Sequence, residues 1–330
     1  GNPPEHTRYR YVTNQAWSAR RTATDAMPRI REICGDLIDG FDEGSVEYMA
    51  RFANPLPSLI IAEILGLPEE DWVQFASWTQ TGLTLLGGNL GKGEVRPAVE
   101  SMFNLLGYLG AQIERRKTEP TDDALTALRL AHDKDGRGLE HPELLSIALQ
   151  LLGAGHETTI NGLGNMAWLV LREPGLRDTL LEQPSLIPNA VAETLRIESP
   201  VQFLFRKSVE DYELRNTKIP AGSRVAAVFA SANRDPAEFP DPEHFDLTRE
   251  NVRHHVAFGF GIHRCVGEPL SITEMEIALG ELLVRLPELR LSDGQGFEHN
   301  PHPFLRRLRS LWIDYGVRAP STPEPARVGG

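Results

Sequence analysis

The residues best suited to do chemistry share one loop, FGFGIHRCVG, running from Phe258 to Gly267. Cys265 is one of only two cysteines, and the other, Cys34, is far away in sequence. Glycines at 259, 261 and 267 let the backbone turn tightly and come close to a bound object. A helical pattern begins near Gly267, so free backbone N–H groups there would stabilise a thiolate. His263 and Arg264 add positive charge or hydrogen bonds. A lone cysteine does not make a zinc site, which needs four ligands. Beside an inert buried thiol, two chemistries remain. A nucleophile calls for a positioned base, whereas a haem iron needs a single axial thiolate.

A second candidate is GAGHETT, Gly153 to Thr159, inside a long apolar helical pattern. Glu157 is expensive to bury without a partner. Either the helix touches solvent there, with its threonines bonded to their own turn, or the acid and Thr158 act. Two further pairs share a helical face: Glu193 with Arg196 in ETLR, and His6 with Arg10 in HTRYR. By themselves they read as an exposed ion pair, worth under about 1 kcal/mol, and a solvated basic helix.

The elements that must position these residues are mostly helical. Apolar spacing predicts helices over MPRIREICGDLIDGF, PLPSLIIAEIL, VRPAVESMFNLLGYLGAQIERRK and LIPNAVAETLRIE, with the longest from about 142 to 171. That longest helix is apolar on several faces and should be central. Strands are expected around the Pro-Ala-Gly turn of EDYELRNTKIPAGSRVAAVF, and again in LRSLWIDY. Between them, SANRDPAEFPDPEHFDLTR should be an ordered coil anchored by Phe239 and Phe245. The expected class is mainly α with small β-sheets, one unit over 1–315, followed by a flexible Pro-rich tail over 316–330. The 330 residues carry a net charge of −12. That balance opposes a nucleic-acid surface. No apolar run is long enough for a membrane span, and the cysteine usage suits a reducing, cytoplasmic setting.

FGFGIHRCVG resembles the haem-binding signature of the cytochromes P450, with Phe258, Gly259, Gly261, His263, Cys265 and Gly267 filling its defined positions. The resemblance implies haem b (iron protoporphyrin IX), with Cys265 as its proximal thiolate and metal ligand and Phe258 packed near the sulfur. GAGHETT resembles the family's oxygen-activation segment. It implies that Ala154 and Gly155 border the oxygen pocket and that Glu157 and Thr158 are a catalytic acid–alcohol pair. His156 falls at the variable position and carries no implied role. ETLR resembles the family's Glu-x-x-Arg lock, whose third partner is expected at Asn233 and Arg234. His6, Arg10, Arg206 and His263 match haem-propionate contacts.

The implied activity is monooxygenation of a largely hydrophobic small molecule, with ferredoxin and ferredoxin reductase as electron donors. Substrate-facing positions by resemblance are Leu151, Ala154, Val201, Leu204, Phe205, Pro303 and Phe304. Two departures are visible. The chain opens on a segment that follows a substantial N-terminal part in the family, so the expected form is an N-terminally shortened P450-like fold with an open haem edge. Ser271 and Ile272 stand where many bacterial members have an alanine–arginine step. Three rivals remain: a peroxide-dependent haem-thiolate enzyme, a P450-like scaffold or partner protein with little catalysis of its own, and a thiol hydrolase.

Overall fold

Prolines at 3 and 4 followed by Glu5 start the first helix, as fixed φ and an early acid favour. The computed structural model describes residues 2–318 apart from positions 18, 43, 88, 89 and 92. α1 (Glu5–Ala16) and α2 (Ala19–Asp39) precede β1 (Ser45–Glu47), a π-helical turn over Met49–Ala53 and α3 (Pro55–Leu65). Then come α4 (Trp72–Gly87), α5 (Val95–Thr118), α6 (Ala124–Leu130), α7 (His141–Arg172), α8 (Leu176–Glu182) and α9 (Ile187–Ile197). Four strands follow, β2 (Phe203–Lys207), β3 (Tyr212–Leu214), β4 (Thr217–Ile219) and β5 (Arg224–Val228). The short α10 (Phe229–Ala232) leads into the coil, and α11 (Glu268–Arg285), β6 (Arg290–Leu291) and β7 (Trp312–Asp314) complete the order.

The expected mainly helical class with small sheets is what forms, and the long helix lies within a residue of its expected ends. α7 is central: α3, α5, α9 and α11 all pack on it, and α2 lies along α11. The sheets depart in detail. β3 and β4 form their own hairpin, while β5, beyond the Pro-Ala-Gly turn, pairs with β2 instead. β1 pairs with β7 from the far end of the chain, Val46 opposite Ile313. The coil is anchored by fully buried Phe239 and partly buried Phe245. The tail from 319 on lies outside the described residues. Arg318 donates to the Ile38 carbonyl at 2.7 Å, so the chain is held to the body beyond Tyr315. No helix among the described residues is long and apolar enough to cross a membrane.

α1 is clamped to the start of α7. Arg8 donates to Asp133 and to Glu143, each at 2.8 Å, and the Tyr9 hydroxyl donates to Glu143 at 2.9 Å. Burial works against the Glu143 charge, but Arg8, the Glu140 N–H and Tyr9 outweigh it and hold the carboxyl down at about 2. This clamp uses Arg8 and Tyr9, leaving the His6–Arg10 face for the cysteine loop.

Glu274 on α11 is 1% exposed and its Oε2 has no hydrogen-bond partner among the described residues. Burial pushes this carboxyl well above its usual range, so the folded chain releases its proton at a higher pH than the unfolded chain does. A raised folded pKa means full stability below the ordinary carboxyl pKa and a penalty as pH climbs towards the folded one. That penalty grows by about 1.4 kcal/mol per pH unit. Glu274→Gln is therefore expected to melt near wild type at pH 4–5 and to be more stable by at least ~1.4 kcal/mol at pH 8. Parallel melting curves at both pH values would contradict the assignment.

Candidate active site

The cysteine loop is a closed structure. The Cys265 N–H donates to the Phe258 carbonyl at 2.9 Å, and the Gly259 N–H to Val256 at 2.8 Å. Gly259 and Gly261 have φ of +71° and +69°, where a side chain would be strained. The root of the loop is pinned by Asn233, whose Oδ1 accepts from the Val256 N–H at 2.7 Å. Cys265 is exposed, yet the protein packed around the loop disfavours a thiolate and raises its pKa. The N–H groups of Gly267 and Glu268 and the charge of Arg10 act in the opposite direction. A cation bound at the sulfur would tip this balance by displacing the proton. Arg264 contributes less than its position suggests, because its guanidinium is held by Glu268 in two bonds of 2.6 Å.

Cationic groups from three elements gather beside the loop. The His6 and His263 rings lie 4.3 Å apart, and Arg10 Nη2 donates to the Arg264 carbonyl at 2.8 Å. Partial burial, then the charges of His6, Arg206 and Arg10, lower the His263 pKa. Arg206 donates to the Phe205 carbonyl at 3.0 Å. Among the described residues neither Arg10 nor Arg206 meets a carboxylate. Uncompensated charge of this kind is a ready site for an anionic ligand.

On α7, Ala154 is exposed in the middle of an otherwise buried run, and Thr158 donates to its carbonyl at 3.0 Å. Thr159 donates to Ser271 Oγ at 3.1 Å, tying α7 to α11. Ala154 and Cys265 thus lie within two helical turns' worth of sequence of one crossing. Ser271, the departure noted above, makes that tie. The glycine at 155 has a packing reason: a Cβ there would meet Ile61 Cδ1 of α3 at 2.9 Å. Glu157 is 5% exposed. It is buried and accepts from Arg307 Nη1 at 2.7 Å, while Arg307 Nη2 donates to Asn54 Oδ1 at 2.8 Å. Arg307 is a site residue that sequence reasoning missed, and no spacing signal points across 150 positions.

The remaining candidates fall into place around this core. The Gln202 N–H donates to the Phe304 carbonyl at 2.8 Å, and Phe203 packs on both Phe205 and Phe304. The segment after Pro200 and the final turn therefore form one apolar wall with exposed Leu204 and Phe205. Glu193 and Arg196 are wholly buried rather than exposed. Their charged third partner is Arg249, at 3.0 Å from Glu193, whereas Asn233 offers only its carbonyl and Arg234 turns to Glu198.

These residues fit a haem: one reachable sulfur, a cationic rim suited to carboxylates, and exposed aromatic bulk in Phe205 and Phe260. Among the described residues no group of three or more His, Cys, Asp or Glu side chains is arranged to hold a metal by itself. Among the described residues no base bonds the Cys265 sulfur, whose partners are backbone N–H groups, and a thiol hydrolase lacks support.

A family model for cytochrome P450 matches residues 109–306. Cytochrome P450 107B1 of Saccharopolyspora erythraea is 41% identical over 293 residues, 88% of this chain and 70% of that protein. Vitamin D(3) 25-hydroxylase of Pseudonocardia autotrophica is 39% identical over 324 residues, 96% of this chain and 77% of that protein. CYP109E1 from Bacillus megaterium, solved in complex with testosterone, superposes with a TM-score of 0.87 at 32% identity, over 96% of this chain and 86% of that one.

Proposed function

The chain belongs to the cytochrome P450 family, a haem-thiolate monooxygenase by kinship, and we propose that Cys265 is its thiolate and haem b its cofactor. The observation that carries this reading is the exposed Cys265, whose sulfur faces two backbone N–H groups, beside Arg10 and Arg206, which meet no carboxylate among the described residues. His6, Arg10, Arg206 and His263 would hold its carboxylates by charge-assisted hydrogen bonds. Phe258, Gly259 and Gly267 shape the loop that aims the sulfur. When bound, the haem supplies the redox chemistry that reduces dioxygen with two electrons and two protons and places one oxygen atom in a C–H bond.

The chain's own share is orientation, exclusion of water and proton movement. Ala154, exposed on α7, leaves backbone room on the distal side, whereas Gly155 lets α3 pack close through Ile61. Thr158 Oγ1, which donates to the Ala154 carbonyl, would be the hydroxyl that holds a proton on that side, and Glu157 would be the carboxyl that supplies it. The apolar wall of Val201, Leu204, Phe205 and Phe304, with Leu151, Ala154 and Pro303, favours a hydrophobic small molecule. Relatives named for vitamin D(3) and 6-deoxyerythronolide B agree with that chemistry. Electrons come from a ferredoxin and its reductase. A peroxide-driven reaction is disfavoured because it would leave the Glu157–Thr158 pair without a task.

Thr158→Ala tests the assignment. The variant is expected to keep haem and its thiolate-type ferrous–carbon monoxide band, while product per electron falls by about tenfold to a hundredfold and peroxide appears instead. Product formation as tightly coupled as in wild type would remove Thr158 from the mechanism.

A further inference from the structure

The turn that carries Pro303 and Phe304 is held by a side chain that the reading above leaves without a role. Main-chain bonds tie its root. The Asn300 N–H donates to the Arg307 carbonyl at 2.8 Å, the Arg306 N–H to Pro200 at 2.9 Å, and the Gln202 N–H to Phe304 at 2.8 Å. The tip reads His302, Pro303, Phe304, Leu305. Pro303 has no N–H, and among the described residues no main-chain carbonyl takes the N–H of Phe304 or of Leu305. Both donate instead to His302 Nδ1, at 3.4 and 3.1 Å. One ring nitrogen thus replaces a carbonyl at the tip of the turn.

These bonds fix the tautomer. An Nδ1 that accepts is bare, so the neutral ring carries its proton on Nε2. Burial lowers the His302 pKa, while the Leu83 carbonyl near the end of α4 and the Glu157 charge on α7 oppose that. The ring is therefore neutral at neutral pH and Nδ1 keeps its acceptor role. Nε2 is buried with no hydrogen-bond partner among the described residues, so the ring grips the turn through Nδ1. The same ring meets that of Phe304 with centroids 4.5 Å apart and planes at 82°. Phe304 also packs T-shaped on Phe203, at 6.4 Å. Its main chain and its ring are thus both held, the ring between two aromatic neighbours.

We propose that His302 is a positioning residue that determines specificity: its Nδ1 bonds set the Phe304 ring as a rigid part of the wall against which hydrophobic molecules are selected. The inference rests on the monooxygenase reading, in which Phe304 belongs to the substrate wall, and adds the residue that shapes that wall. A preorganised aromatic surface spends little entropy when a ligand packs on it. Freeing the turn would weaken bulky apolar ligands and leave small ones unaffected.

Two substitutions separate the acceptor from bulk alone. His302→Leu keeps apolar volume but offers the two N–H groups nothing. His302→Asn restores an acceptor, because an Asn side-chain oxygen takes the N–H two residues on. The probes are imidazole, 1-benzylimidazole and 1-tritylimidazole, titrated into the haem-loaded enzyme and followed by the absorbance shift as the azole nitrogen binds iron. Imidazole reads the iron alone, and the two derivatives add the wall. In His302→Leu the derivatives are expected to bind about fivefold to tenfold more weakly, with imidazole unchanged. In His302→Asn all three should stay within about threefold of wild type. Crystal structures of the azole-free proteins give a readout independent of binding: Phe304 should keep its place in the Asn variant and leave it in the Leu variant. Derivatives that bind the Leu variant as tightly as wild type overturn the proposal, as does an Asn variant as weak as the Leu variant. Equal weakening of all three azoles overturns it too, since His302 would then support the haem pocket generally. So does a wild type that binds the derivatives no more tightly than imidazole, because no apolar wall would then meet them. If wild type itself lacks the thiolate-type ferrous–carbon monoxide band, the haem-thiolate reading has failed and this inference falls with it. An intact band with any of the overturning results condemns the role of His302 alone.

Discussion

Replacing Cys265 with alanine leaves a folded protein without a thiolate-type ferrous–carbon monoxide band and without oxygenation. The fold survives because the side chain is exposed and takes no part in the buried cluster. The loop is closed by main-chain bonds, among them Cys265 N–H to Phe258 and Arg264 N–H to Gly261 at 3.0 Å, which alanine retains. The chemistry does not survive because the described residues provide no second grouping able to bind a metal. Turnover is expected to fall by roughly 10³-fold or more, a small share of the ~10⁶-fold or greater accelerations typical of enzymes. Circular dichroism and melting curves of the two proteins should coincide within about 1 kcal/mol, the usual scale for a surface substitution. An unchanged spectrum in the variant would mean that another group is the ligand. His263, two positions away with its ring against His6, would be the first to examine.

The sequence made the site legible where chemistry is local. The cysteine loop, with its glycines and the helix start at Glu268, is a run of ten residues whose turn geometry follows from residue type. α7 was readable for the same reason, since thirty-odd residues of apolar periodicity leave few alternatives. What escaped was non-local. Arg307 reaches Glu157 from 150 positions away, and Arg249 reaches Glu193 from 56. Both spacings far exceed the length of any single helix or strand, so no local periodicity links the partners. β1 was missed because three residues carry no periodic signal and its partner β7 lies near the other end of the chain. Gly155 shows a subtler limit. Its type suggested room for a ligand, whereas its missing side chain makes room for Ile61. Composition cannot tell a glycine that admits a ligand from one that admits a neighbouring helix.

Glu193→Gln should destabilise the protein by about 3–5 kcal/mol, a large share of the roughly 5–15 kcal/mol by which an ordinary domain stays folded. The Glu193 carboxylate is wholly buried against two guanidinium groups. Arg196 holds it with two bonds of 2.7 Å and Arg249 with one of 3.0 Å. Each arginine then spends its remaining N–H groups on the coil. Arg196 donates to the carbonyls of Asn233 and Pro242, at 3.0 and 2.7 Å, and Arg249 to those of Pro240 and Asp241, at 2.7 and 3.1 Å. The coil has no regular structure to satisfy these carbonyls, so the two cations stand in for a sheet. Glutamine keeps the size of the side chain but leaves two positive charges buried without a counter-charge, and the coil must open to hydrate them. Because Asn233 also pins the root of the cysteine loop through Val256, the damage should reach the haem site. Haem retention is therefore expected to fall in step with stability as urea is raised. A Glu193→Gln protein that unfolds within 1 kcal/mol of wild type would show that the coil is held by its carbonyl bonds alone and that the carboxylate is dispensable.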